Sequence, residues 1–130
     1  VHDHVGYNYR MPNINAALGC AQMENLERYV KNKRDTAARY KEFFEEYTGI
    51  TFFTEPSDSR SNYWLNVVLL DNYDERQKFL EYTNDHGVMT RPAWQLMNRL
   101  EMFKNCETDS LENTTWLEER IVNIPSSVRL

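Results

Sequence analysis

The chain has 130 residues, 41% hydrophobic and 27% charged, which is the size and composition of one ordinary globular domain and excludes wholesale disorder. Fifteen basic residues against twenty acidic leave a net charge of −5. That excludes the dense cationic face a nucleic-acid binder needs to neutralise phosphates.

The chain opens on an aromatic, polar stretch over residues 1–11, read as extended or looping. Pro12 then sits where a first helical turn tolerates proline, because the missing N–H would be unpaired there. Ile14, Ala17, Leu18, Ala21 and Gln22 recur at helical spacing, so a helix rich in small residues is predicted over 12–26. A second follows over 27–48 on the stripe Val30, Ala37, Tyr40, Phe44 and Tyr47, with Gly49 as its C-terminal cap. The basic run Arg28, Lys31, Lys33, Arg34 and Arg39 falls here, mixed with Glu24 and Glu27, and reads as a solvated helix face.

Ile50 to Phe53 reads as a short strand, residues 55–61 as a loop of turn formers, and the near-continuous apolar run 63–70 as a central strand covered on both faces. Capping side chains at 71–74 start a helix over 75–86 that Gly87 closes. Val88 to Thr90 is predicted as a strand ended by Arg91-Pro92, since proline forces its predecessor into extended geometry. A weaker helix over 94–103, another capped by Thr108 or Asp109 and running to Arg120, and a strand over 121–124 halted by Pro125 complete the pattern. No linker divides the chain and no period repeats, so residues 1–130 are read as a single domain. Two leading helices, then a small sheet with helices packed on it, make an α+β fold.

No stretch reaches 18 apolar residues, so no segment is read as membrane-spanning. Cys20 and Cys106 are too few and too far apart for a disulfide scaffold. They fit reduced thiols in a cytoplasmic protein, with Cys20 a buried small hydrophobe. His2 and His4 have H-x-H spacing, but no third ligand stands nearby, and the reading is two surface histidines with no metal site. His86 suits the C-terminus of its helix. Glu45/Glu46 and Glu118/Glu119 are sequence neighbours that do not face each other on a helix, so neither is an acid–base pair. No catalytic constellation is complete. One segment stands out: Gly6-Tyr7-Asn8-Tyr9-Arg10-Met11-Pro12 places an amide and a guanidinium on the same side of an extended stretch just before a helix start. Such a set suits a phosphate; alternatively, the aromatics pack and Arg10 pairs with a carboxylate.

The run from Val5 through Leu26 resembles the hallmark of the DegT/DnrJ/EryC1/StrS family of pyridoxal-phosphate-dependent nucleotide-sugar aminotransferases. The likeness continues at Arg39-Tyr40, Trp64 to Val68, Gly87 to Trp94 and Glu119 to Ser127, and so covers essentially the whole chain. It implies the C-terminal domain of an aspartate-aminotransferase-like enzyme of fold type I. The family's Schiff-base lysine and the acidic partner of the pyridine nitrogen precede the hallmark. Lys31, Lys33, Lys41, Lys78 and Lys104 all follow it, and none takes that role.

By the same resemblance, Asn8 and Arg10 are cofactor-binding residues: Asn8 reaches the cofactor phosphate in a neighbouring subunit's site, and Arg10 lies near that site, contacting the cofactor or the sugar nucleotide. Arg91 and Trp94 line the substrate side. Asn98 stands where many relatives, reading Trp-x-Pro-Leu-His, have histidine. The implied enzyme is a cytoplasmic homodimer that moves an amino group, from glutamate, to a 4-keto-6-deoxy nucleotide sugar. The branch most similar feeds legionaminic-acid-type sugars from UDP-4-keto-6-deoxy-N-acetylglucosamine. The chain alone is expected to be inactive and without bound cofactor. The competing reading is a non-catalytic binding or dimerisation module built on the 12–48 helices.

Overall fold

The computed structural model describes residues 4–7 and 10–129. Helix α1 spans Asn13–Met23, with Pro12 as its extended N-cap, and contains no buried residue. Cys20 is therefore exposed, against the expectation of a buried small hydrophobe. Among the described residues nothing buries the stripe of Ile14 and Leu18, both of which are exposed.

Helix α2, Leu26–Phe44, buries only Ala37 fully and presses half-buried Tyr40 and Phe44 against the sheet. A small side chain at the contact point lets the helix backbone approach closely. The helix ends four residues earlier than predicted. Tyr47 N–H bonds to the Phe44 carbonyl at 3.2 Å, and Gly49, at φ +80°, turns the chain into strand β1 rather than capping the helix. That left-handed conformation is one that L side chains avoid.

Strand β1 is Ile50–Phe52 and strand β2 is Asn66–Leu70. β2 begins three residues later than its apolar run suggested, for a local reason. Ser61 Oγ accepts from Tyr63 N–H at 2.9 Å and Asn62 Oδ1 accepts from Trp64 N–H at 3.0 Å, while Tyr63 sits at φ +46°. These side-chain bonds give the backbone an alternative to sheet pairing and redirect it before Leu65.

Helix α3, Tyr73–Asp85, is capped by Asn72, whose Oδ1 accepts from Glu75 N–H at 3.0 Å. The strand predicted at 88–90 forms one step later, as β3, Arg91–Pro92. Buried Thr90 is already engaged: its hydroxyl meets Thr83 Oγ1 at 2.6 Å, and Asn84 Nδ2 donates to its carbonyl at 3.1 Å. The helix predicted over 94–103 is instead two 3-10 turns, Met97–Arg99 and Glu101–Phe103, because Leu96 and Leu100 adopt extended backbone at ψ 139° and 136°. Helix α4 is the shorter Glu112–Glu118, entered through Leu111 at φ 51°. Asp109 holds that entry by accepting from Leu111 N–H, one turn before the helix it was expected to cap. Strand β4 is Ile121–Ile124, as predicted.

The sheet runs β1-β2-β4-β3, every pair antiparallel, with Val68 opposite Val122. Phe52, Val68, Leu70, Val122 and Ile124 form the core with Ala37, and Phe79 and Leu80 of α3 pack against it. Asn66, Val68 and Leu70 are buried on one face of β2, whereas Val67 and Leu69 on the other are only half-buried. The central strand is therefore covered fully on one face, not both.

Candidate functional site

Arg10 is exposed two residues ahead of Pro12 and forms no ion pair among the described residues. Asn8 lies outside the described residues. Pro12 offers no capping side chain, and the first intrahelical bond is Ala16 N–H to the Pro12 carbonyl at 3.0 Å. The N–H groups before Ala16 therefore point out along the helix axis without intrahelical partners. A guanidinium beside these donors and the positive end of the helix dipole is the chemistry that suits a phosphate dianion. The residues present thus fit the phosphate end of pyridoxal phosphate.

A second group lies on the sheet's β3 side. Arg91, on β3, is exposed, and the contact its guanidinium makes among the described residues is a weak one with Met89 Sδ at 3.6 Å. Two residues past Pro92, Trp94 is 72% exposed. Asn98 is half-buried in the first 3-10 turn. The structure adds a member that the site assignment missed. Trp64, 63% exposed, stacks on Trp94 with ring centroids 6.5 Å apart and planes 17° from parallel. Trp64 opens one of the stretches that carry the family likeness, and the Ser61-Asn62 turn chemistry sets the backbone before it. No contact among the described residues joins Arg10 to this group.

The loop delivering Trp64 is firmly braced. Arg34 of α2 grips Glu55 with both terminal nitrogens, at 2.9 and 2.6 Å, and donates to the Ser61 carbonyl at 2.6 Å. Glu55 also accepts from Ser61 N–H, and the Tyr63 ring lies against the Arg34 guanidinium at 5.6 Å. The Arg34 hydrogen bond, followed by the Ser61 N–H, pulls the Glu55 carboxyl down to about 2. A carboxyl lowered in the folded state stabilises fully above its unfolded pKa and loses that contribution as pH falls towards the folded value. Thermal melting should therefore show stability lost between about pH 4.5 and pH 2, with Arg34→Ala flattening that part of the curve. A parent and variant with parallel profiles over this window would refute the assignment.

Four of the five lysines carry carboxylate partners: Lys31 with Asp35, Lys41 with Glu45, Lys78 with Glu75 and Lys104 with Glu101. Burial pushes Lys33 below its ordinary range. Its ammonium is already committed to the carbonyls of Ser126, at 2.5 Å, and Trp64, at 3.4 Å. A nucleophilic lysine needs a desolvated amine free to attack, and none of the five is placed so. His86 caps α3, with Nδ1 2.7 Å from the Tyr82 carbonyl. His4 is exposed, His2 lies outside the described residues, and no metal-holding cluster occurs among those described.

The fold, a small antiparallel sheet with helices packed on it and an exposed helix at its head, is an α+β arrangement similar to that in solved sugar aminotransferases. Helicobacter pylori PseC, an aminotransferase of pseudoaminic acid biosynthesis, matches it with a TM-score of 0.79 over 94% of this chain and 34% of its own, at 17% identity. The chain belongs to the DegT/DnrJ/EryC1/StrS aminotransferase family, whose sequence model matches residues 1–130. It is 32% identical over 127 residues to GDP-perosamine synthase of Escherichia coli O157:H7, covering 96% of this chain and 34% of that protein. It is 31% identical over 113 residues to Bacillus subtilis EpsN, provisionally named a pyridoxal phosphate-dependent aminotransferase, covering 87% of this chain and 29% of that one. The chain thus spans about a third of the length of the relatives it matches. No helix among the described residues is long and apolar enough to cross a membrane.

Proposed function

We propose that this chain is the C-terminal domain, one folding unit over residues 1–130, of a cytoplasmic homodimeric enzyme. That enzyme transfers an amino group from glutamate to the keto carbon of a 4-keto-6-deoxy nucleotide sugar. The observation that carries this reading is the family match across the whole chain, together with an uncapped helix start that has Arg10 beside it. Similarity to a GDP-perosamine synthase supports a nucleotide-linked sugar, and the likeness to PseC sits well with a nonulosonate route of the legionaminic-acid type.

Pyridoxal phosphate, when bound, supplies the electron sink through which an amino group is carried between donor and acceptor. In this chain, Asn8, Arg10 and the outward N–H groups of α1 would hold its phosphate, in the site of the neighbouring subunit. Arg91 would pair with the substrate diphosphate through a bidentate guanidinium, Trp94 would pack on the substrate, and Asn98 would donate or accept a neutral hydrogen bond. An amide at position 98 does not titrate near pH 7, so this contact adds no pH dependence of its own. The exposed face of α1 suits the surface of a larger domain or second subunit.

The direct test is amino transfer by the intact polypeptide, with glutamate and UDP-4-keto-6-deoxy-N-acetylglucosamine, followed by detection of the 4-amino sugar. The 130-residue chain alone should give no product, and borohydride should fix no cofactor to any of its five lysines. Stoichiometric fixation on one of them, or the absence of amino transfer to any keto nucleotide sugar, would refute the reading.

A further inference from the structure

Trp64 combines a tightly held backbone with a free side chain. Asn62 Oδ1 accepts from its N–H at 3.0 Å. Its carbonyl accepts from Ser126 Oγ at 2.7 Å and from Lys33 Nζ at 3.4 Å. The residue before it, Tyr63, is a non-glycine held at φ +46°, a conformation that persists only where its surroundings over-determine it. Arg34 and Glu55 provide that constraint by bracing the loop from α2. Yet the indole so placed is 63% exposed and touches another ring, Trp94, that is 72% exposed. The chain therefore fixes a large apolar surface in water, where it returns little of the free energy that burial would supply. The third tryptophan, Trp116, is also half exposed, at 51%, but its ring is covered on one side by the Arg120 guanidinium at 4.6 Å.

We propose that Trp64 and Trp94 together form the base-stacking subsite for the nucleotide-linked substrate, with Arg91, on the adjoining β3, directed at the diphosphate. The inference rests on the reading of the substrate given above and extends it to a residue which that reading does not use. Two near-parallel indole faces offer a flat π surface on which a heteroaromatic base can stack. Stacking is tolerant of base identity, because every base has a π face. The pair therefore supplies affinity for the nucleotide, and discrimination between uracil and guanine comes from elsewhere.

The test is calorimetric binding of UDP, GDP and inorganic pyrophosphate to the intact polypeptide, alongside kinetics with the nucleotide sugar. Trp64→Ala is expected to weaken nucleoside diphosphate binding about tenfold, in keeping with the loss of one stacking partner. It should raise KM for the nucleotide sugar by the same factor while leaving kcat and the KM for glutamate unchanged, and pyrophosphate binding should be indifferent to the substitution. Trp64→Phe, which keeps a π face, should retain most of the affinity.

The proposal fails if Trp64→Ala and Trp94→Ala both bind nucleoside diphosphates as the parent does, as they would if the rest of the polypeptide covered both rings. It also fails if Trp64→Phe is as weak as Trp64→Ala. A protein that binds UDP or GDP through Trp64 but aminates no nucleotide sugar supports the subsite and overturns the enzymatic reading. Amino transfer that is indifferent to Trp64 does the reverse.

Discussion

Replacing Phe52 with alanine is expected to cost about 3–5 kcal/mol of folding stability, the usual range for truncating a buried phenylalanine. Phe52 closes strand β1 and is buried between two aromatic neighbours, Tyr40 of α2 at 6.1 Å and Tyr63 at 6.4 Å between ring centroids. It therefore joins the sheet, the long helix and the loop that carries Trp64. The strands it helps secure are short: β1 has three residues and β4 has four. A core this small has few other large side chains to redistribute into the cavity. The measurement is the urea midpoint at constant slope, with Phe52→Leu losing distinctly less. A loss below about 1 kcal/mol for the alanine variant would show that α2 rests on the sheet by some other means.

The second large effect belongs to Arg10. A hydrogen bond to a charged group is worth about 1.5–3 kcal/mol, and each 1.4 kcal/mol is about a tenfold change. Arg10→Ala in the intact enzyme should therefore weaken pyridoxal phosphate binding by roughly 10- to 100-fold. Folding should be unaffected, because the side chain is exposed and makes no ion pair among the described residues. Arg10→Lys retains the charge but loses the planar fork, and should fall between the two. Spectrophotometric titration of the cofactor checks this, and parent-like affinity in the alanine variant would remove Arg10 from the phosphate site.

Much of this architecture was legible in the sequence wherever an element owed its limits to its own residues. Asn72 and Gly87 bracket α3, and Pro125 stops β4, so their positions followed from capping and proline geometry. Three of the misplaced boundaries share one cause. At Tyr63, Thr90 and Leu111, side chains or neighbouring turns bond the backbone before the sheet or helix can claim it, and hydrophobic periodicity carries no trace of such bonds. The two 3-10 turns follow the same logic. Extended backbone at Leu96 and Leu100 interrupts what spacing alone reads as one helix, and Arg99 reaches across to Glu118 at 2.8 Å.

The residues proposed for the site, near Arg10 and around Trp94, each lie within a contiguous motif. The Trp64–Trp94 contact has no such signature. It joins residues thirty positions apart whose proximity depends on β2 and β3 flanking β4, and that order is a property of the sheet.

Helix α1 has eleven residues, a glycine at position 19 and no side chain buried in this chain. A lone helix of that length is marginal in water, and an interior glycine costs it a further ~0.5–1 kcal/mol relative to alanine. Its order is therefore tied by mass action to whatever surface it docks against. Under the proposed function, with the α1 donors and Arg10 holding a phosphate, assembly of the enzyme and of that site would be one equilibrium, and diluting its subunits would loosen the cofactor before any residue that touches it had been changed.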